Sequence, residues 1–211
     1  SSCILWSPAY AISNDNPGLK LLAASLFPIT ERFTGPFPPP FLTNPVQATL
    51  MLICSPPPTW TTLCEGALDL VMGDSGRQQP VKPQLLGSLL YSASTHELSQ
   101  LGQIVQYPNR TIHAFDFRQD NQAIYGQPTP PAYDLSSLRN FSSISFYVGA
   151  TDGLVTPADV ERTRAQLRVP SINHTIDTTF NHLGYYYHVD TPRLAIIPSM
   201  LEIESLARSV Q

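Results

Sequence analysis

Ile144-Ser145-Phe146-Tyr147-Val148-Gly149-Ala150-Thr151-Asp152-Gly153 is an apolar, β-branched and aromatic run that ends in an acidic turn bracketed by glycines. Its first five residues read as a strand. Thr156-Pro157-Ala158-Asp159 then opens a helix to about Leu167, with a capping Thr, Pro at the first position and an acid near the positive end. Ser171–Ile176 reads as a second strand, and Phe180-Asn181-His182-Leu183-Gly184 follows it. Strand, crossover helix and strand make a βαβ unit, hence parallel strands joined by a right-handed connection. Asp152 and His182 thereby fall at the same edge of neighbouring strands, where open α/β sheets bind ligands. A final helix from about Pro192, interrupted at Pro198, is expected to cover the sheet.

At the other end, Cys3-Ile4-Leu5-Trp6 suits a buried parallel strand that exits through Ser7-Pro8-Ala9-Tyr10. Such a strand needs neighbours on both sides and helices on both faces. The strand-like runs here are too few to supply them. The expectation is a processed or truncated product whose missing sheet lies on a companion polypeptide. Between the strands the pattern is helical and punctuated by proline. Pro17 to Phe27 places Leu19, Leu22 and Leu26 on one face, and a short apolar segment after Pro36 and Pro38-Pro39-Pro40 ends at Cys54. Thr62-Leu63-Cys64-Glu65 fits a capping box and predicts a helix with Leu63, Ala67, Leu68, Val71 and Met72 inward, stopped by Gly73. Another helix is expected from Pro83 with Leu85, Leu86, Leu89 and Leu90. A fourth, from Ser94 or Thr95, presents Leu98, Leu101, Ile104 and Val105. The chain thus divides into a core strand (1–12), a helical cap insertion (13–135) and a core segment (136–211) carrying Asp152 and His182.

The net charge is −4 and the 211 residues hold no Lys/Arg cluster, which argues against nucleic acid as a partner. Charged residues are 13%, about half the usual ~25%, and prolines number 21, about double the usual ~5%. With 42% apolar content, this suits either an uncharged polar surface or one that meets lipid or another chain. No apolar run approaches the ~18 residues of a membrane span. Three sequons, at Asn109, Asn140 and Asn173, point to glycosylation and the secretory pathway. Cys54 and Cys64 bracket a proline-rich turn. A disulfide between them would contribute about 2–3 kcal/mol by loop closure, the alternative being three unpaired thiols. Cys3 is left over as a buried, inert thiol.

An acid and a histidine at successive strand tips are the acid and base of a hydrolase triad, in which the order along the chain is Ser, Asp, His. No Gly-x-Ser-x-Gly elbow occurs in these residues. The segments around the pair resemble the acid lipase family of gastric and lysosomal lipases. Tyr147-Val148-Gly149-Ala150-Thr151-Asp152-Gly153-Leu154-Val155 is similar to that family's strand, turn and catalytic acid, and Pro157-Ala158-Asp159-Val160 to its Pro-x-Asp-Val helix start. Phe180-Asn181-His182-Leu183 resembles its catalytic His segment, at a spacing of 30 residues from the acid that suits the family. His113-Ala114-Phe115-Asp116-Phe117 and Pro130-Pro131-Ala132-Tyr133-Asp134 resemble its Ala-Tyr-Asp-Trp and Pro-Pro-x-Tyr stretches, and Trp6-Ser7-Pro8-Ala9 its Ala-Pro-Val exit. Cys54 and Cys64 fall where the family has a cap disulfide. The family carries Asp directly after His-Leu; this chain has Gly184.

The resemblance implies the C-terminal half of an α/β-hydrolase fold with a largely helical cap. It also implies catalytic Asp152 and His182, a nucleophile and oxyanion-hole donors on a segment before Ser1, and a secreted or lysosomal lipid ester hydrolase without cofactor. An alternative of a different class is an inactive lipase-like subunit for lipid binding, storage or assembly. His188 suits a structural hydrogen bond, His96 and His174 suit surface positions, and His113 suits burial in the cap. No spacing matches a structural zinc site, so no metal is expected.

Overall fold

The computed structural model describes residues 2–12, 16–26, 54, 58–74, 94–107, 112–176 and 179–208. In chain order the elements are β1 (Ser2–Trp6), α1 (Pro17–Leu21, continued by a π turn over Leu22–Leu26), α2 (Pro58–Met72) and α3 (Thr95–Gln106). Then come α4 (Asn121–Tyr125), β2 (Ser143–Gly149), α5 (Pro157–Arg164), β3 (Ser171–Ile176), α6 (Gly184–Tyr187) and α7 (Ile197–Arg208). They fall into two compact units. One comprises Ser1–Ser13, Met72–Gln79 and Asp134–Gln211, the other Asn14–Val71 and Pro80–Tyr133. Met72–Gln79, inside the stretch read as cap, therefore groups with the strands.

The first unit is built on a parallel sheet in the order β1-β2-β3, compatible with an α/β architecture. Cys3 pairs with Ile144, and Ile144 with Ser171. β2 lies between the other two and is buried almost throughout, with Ile144, Phe146, Tyr147 and Val148 covered on both faces together with Ser145. β1 is only half-buried and its Trp6 is 43% exposed, so the fully buried strand read from the sequence is not what the described residues form. Cys3 is likewise half-buried. β1 has β2 on one side and no second neighbour among the described residues.

The connection through α5 follows from its cap. Thr156 Oγ1 accepts the Asp159 N–H at 3.2 Å while Asp159 Oδ2 accepts the Thr156 N–H at 3.0 Å, a reciprocal capping box that satisfies two otherwise orphaned donors. The helix ends at Arg164, slightly before the expected Leu167. α7 is tied to the sheet through Glu202, which accepts the Ser145 hydroxyl and, at 3.0 Å, the Tyr147 hydroxyl. Burial and then the neighbouring Glu202 push the Tyr147 phenol up. Across the strand pair His174 stacks on Tyr147 with ring centroids 4.4 Å apart, so it is not the plain surface residue expected. The break expected at Pro198 takes a definite form. A π turn over Pro192–Ile196, in which the Ile197 N–H reaches the Pro192 carbonyl, precedes a proline that has no N–H to give.

In the second unit Cys54 and Cys64 form a disulfide. α2 starts at Pro58 rather than at Thr62. A proline in the first turn suits a helix start, and the Thr-x-x-Glu pattern lies inside the helix instead of capping it. Leu63 is 63% exposed and Ala67 is exposed, against the inward face expected, while Leu68, Val71 and Met72 are partly buried. Gly73 ends the helix at φ 94°. α3 matches its sequence pattern: Ser94 caps it by accepting the Glu97 N–H at 3.0 Å, and Ile104 and Val105 are buried. The two aromatic-rich stretches meet in an isolated antiparallel bridge between His113 and Ala132. Asp116 Oδ1 accepts from Asn121 Nδ2 at 2.7 Å, which gives this acid a structural role. His113 is buried and His96 stacks on Phe115, so His96 too departs from the surface position expected. The helix expected from Pro83 and the segment from Pro36 to the residue before Cys54 lie outside the described residues.

Candidate active site

The end of β2 turns sharply, with the Asp152 N–H donating to the Gly149 carbonyl at 3.2 Å. Asp152 is 3% exposed, and a carboxylate so buried needs its lone pairs filled. Oδ1 accepts two backbone donors, the N–H groups of Leu154 at 3.0 Å and Val155 at 2.8 Å. Oδ2 is left for one partner. That partner is His182 Nδ1, at 3.0 Å. With Asp152 ionised, Nδ1 carries the proton and donates, so Nε2 is the acceptor nitrogen of the ring. The His182 side chain keeps 22% exposure while that of Asp152 has none. The arrangement is therefore a buried, fully hydrogen-bonded carboxyl group behind a partly exposed imidazole.

The His182 loop is held by what precedes and follows it. Phe180 is fully buried against Ile176 and Ala195, with Tyr185 edge-on at 5.0 Å. Asn181 is 1% exposed; its Oδ1 accepts the Leu183 N–H at 3.0 Å and its Nδ2 donates to the Gly73 carbonyl at 2.8 Å. Gly184 opens α6 directly over the Phe180 ring. A Cβ there would lie 2.8 Å from two ring carbons, which leaves no room for the acid that the resembling family carries at this position. Gly184→Ala is expected to cost about 1–3 kcal/mol by overpacking, read as a lower denaturant midpoint at unchanged slope. His188 is buried and its Nδ1 accepts the Asp190 N–H at 3.1 Å, the structural bond expected of it.

Two contributions had no signal in local sequence. Tyr185 donates to the Tyr147 carbonyl at 2.7 Å, accepts from Ser7 Oγ at 3.2 Å and stacks on Trp6, joining the β1 exit to the site. Burial pushes its phenol far above the ordinary range, the Ser7 hydrogen bond opposes this, and the Asp152 charge adds to it. The segment Met72-Gly73-Asp74, read only as a helix stop, lies against both loops.

Of the sequons, Asn140 is exposed, Asn173 sits half-buried in β3 with Nδ2 donating to Glu161 at 2.8 Å, and Asn109 lies outside the described residues. That bond, with a smaller contribution from Arg164, holds the Glu161 carboxyl below its usual range. Among the described residues no cluster of His, Cys, Asp or Glu is placed to hold a metal ion, and no helix is long and apolar enough to cross a membrane.

No protein-family model matches the chain. Its sequence is 30% identical over 104 residues to human Lipase member N, a match covering 48% of this chain and 25% of that protein. The chain thus spans about a quarter of this relative's length. The likeness is a lipase-like relationship, and the parallel sheet with its helical crossover is compatible with it.

Proposed function

We propose that the chain supplies the acid, the base and the cap of a serine carboxylic ester hydrolase acting on triacylglycerol or a related lipid ester. The observation that carries this reading is the division of labour at Asp152. One oxygen is saturated by two backbone N–H groups and the other is engaged by His182 Nδ1. The serine comes from a segment of the protein outside these 211 residues, which contain no nucleophile elbow. That segment, or a companion chain bearing it, is the partner the reaction needs.

In the first half-reaction His182 Nε2 takes the proton from the serine hydroxyl as its oxygen attacks the ester carbonyl carbon. The imidazolium then returns that proton to the departing alcohol, leaving an acyl-serine. Water, deprotonated by the same nitrogen, releases the fatty acid and restores the serine. Asp152 fixes the tautomer, orients the ring and stabilises the imidazolium without becoming protonated. No cofactor or metal takes part. The second unit, Asn14–Val71 with Pro80–Tyr133, serves as the cap, and the disulfide and sequons support a secreted or lysosomal location.

The test is release of fatty acid from emulsified triacylglycerol by the full-length protein. Release that is lost after treatment with an organophosphate supports the reading. No release from triacylglycerol or from a soluble short-chain ester, with the protein folded, would instead assign it to lipid binding, storage or assembly. Glycan mapping by mass spectrometry gives a separate check on the compartment. Occupancy is expected at Asn140, and little at Asn173, whose amide nitrogen is held by Glu161. An unmodified Asn140 in protein from its native source would count against secretion.

A further inference from the structure

Resting on the reading of Asp152 and His182 as acid and base, we infer that Asn181 is a positioning residue. It locks the His182 loop onto a rail formed by Met72-Gly73-Asp74, to which the Asp152 loop is pinned as well. The Met72 carbonyl accepts two N–H groups, from Gly153 at 2.9 Å and from His182 at 3.1 Å. The residue after the acid and the base itself thus hang from one oxygen. The Gly73 carbonyl accepts Asn181 Nδ2 at 2.8 Å, and the Asp74 carbonyl accepts the Thr151 hydroxyl at 2.9 Å. Three consecutive carbonyls therefore bind residues flanking Asp152 on both sides, together with His182 and its preceding neighbour.

The rail has no slack. Gly73 takes φ 94°, and a Cβ on it would collide with the Thr151 carbonyl and lie 2.6 Å from the Gly153 nitrogen. A Cβ on Gly153 would in turn lie 2.7 Å from the Gly73 nitrogen. Backbone meets backbone there, without a flexible side chain to absorb a shift. Asn181 holds the other loop at two points. Its Oδ1 takes the Leu183 N–H and its Nδ2 reaches Gly73, so the amide fixes the backbone on both sides of His182. The distance between Nδ1 and Oδ2 is then set by how each loop sits on the rail. Losing the Asn181 donor removes one tie of the His182 loop to the rail and leaves that of the His182 N–H to Met72, and a misplacement of about 1 Å can cost on the order of 100-fold in rate.

The experiment compares the full-length wild-type protein with Asn181→Ala and Thr151→Val. It uses kcat, KM and the downfield proton resonance of His182 Nδ1–H, assigned by its absence in His182→Ala. In folded Asn181→Ala the resonance is expected to be lost and kcat to fall at least about tenfold with KM within about twofold. Thr151→Val, which removes one exposed link, is expected to shift the resonance and lower kcat by a smaller factor. It carries the test if Asn181→Ala does not fold. Unchanged resonance and kcat in the variants that fold would overturn the inference. Loss of the resonance in the variants of a protein whose wild type hydrolyses no ester would keep the rail and remove the hydrolase reading.

Discussion

Asp152→Asn is expected to lower kcat for ester hydrolysis by about 10⁴ while leaving the fold intact. The substitution keeps Oδ1, so the N–H groups of Leu154 and Val155 retain their acceptor and the turn after β2 survives. The change falls on the other atom. An amide NH2 facing His182 Nδ1 cannot accept a proton from it, and the ring adopts the tautomer with its proton on Nε2. A nitrogen that already carries a proton cannot take one from serine. The check is kcat alongside thermal unfolding. A loss below about tenfold in a variant that melts like wild type would remove Asp152 from the mechanism.

His182→Ala should cost more, about 10⁶ in kcat. It deletes the base and the acid of both half-reactions, whereas the Asn variant only misdirects them. Stability should fall by about 1–3 kcal/mol, because the buried Asp152 Oδ2 loses its His182 partner, while the N–H that holds the loop to Met72 is retained. KM should stay within a few-fold, since the ring contributes chiefly to the transition state. Groups acting as a unit are not additive, so the double variant Asp152→Asn/His182→Ala should be no slower than His182→Ala alone. Additive losses would mean that the two residues act separately.

The parts of this molecule that sequence made legible are those encoded by local periodicity. The β-branched and aromatic run of β2, the Thr-Pro-x-Asp opening of α5 and the second strand predict a parallel βαβ unit, and that unit is present. From it the joint position of Asp152 and His182 followed. α3 was equally readable, since its cap and apolar stripe lie within one segment. The start of α2 departs from its sequence reading: Pro58, expected in a turn, opens the helix four residues before the Thr62 capping pattern. The stripe on α2 was visible in sequence, but its spacing carried no information on what covers it, and Leu63 is exposed. The remaining misses are long-range. Asn181 meets Gly73 across a separation of 108 residues, and Thr151 meets Asp74 across 77. The stacking of His174 on Tyr147 depends on strand register. The room that Phe180 takes from position 184 is a matter of packing that no spacing rule expresses.

Pairing of His182 with a serine nucleophile is tested by fluorophosphonate labelling of the native full-length protein and of its His182→Ala variant, with the adduct mapped by mass spectrometry. One adduct is expected, on a serine outside these 211 residues, formed by the wild-type protein and suppressed in the variant. An adduct that forms equally well without His182, or none at all on a folded wild-type protein, would contradict that pairing.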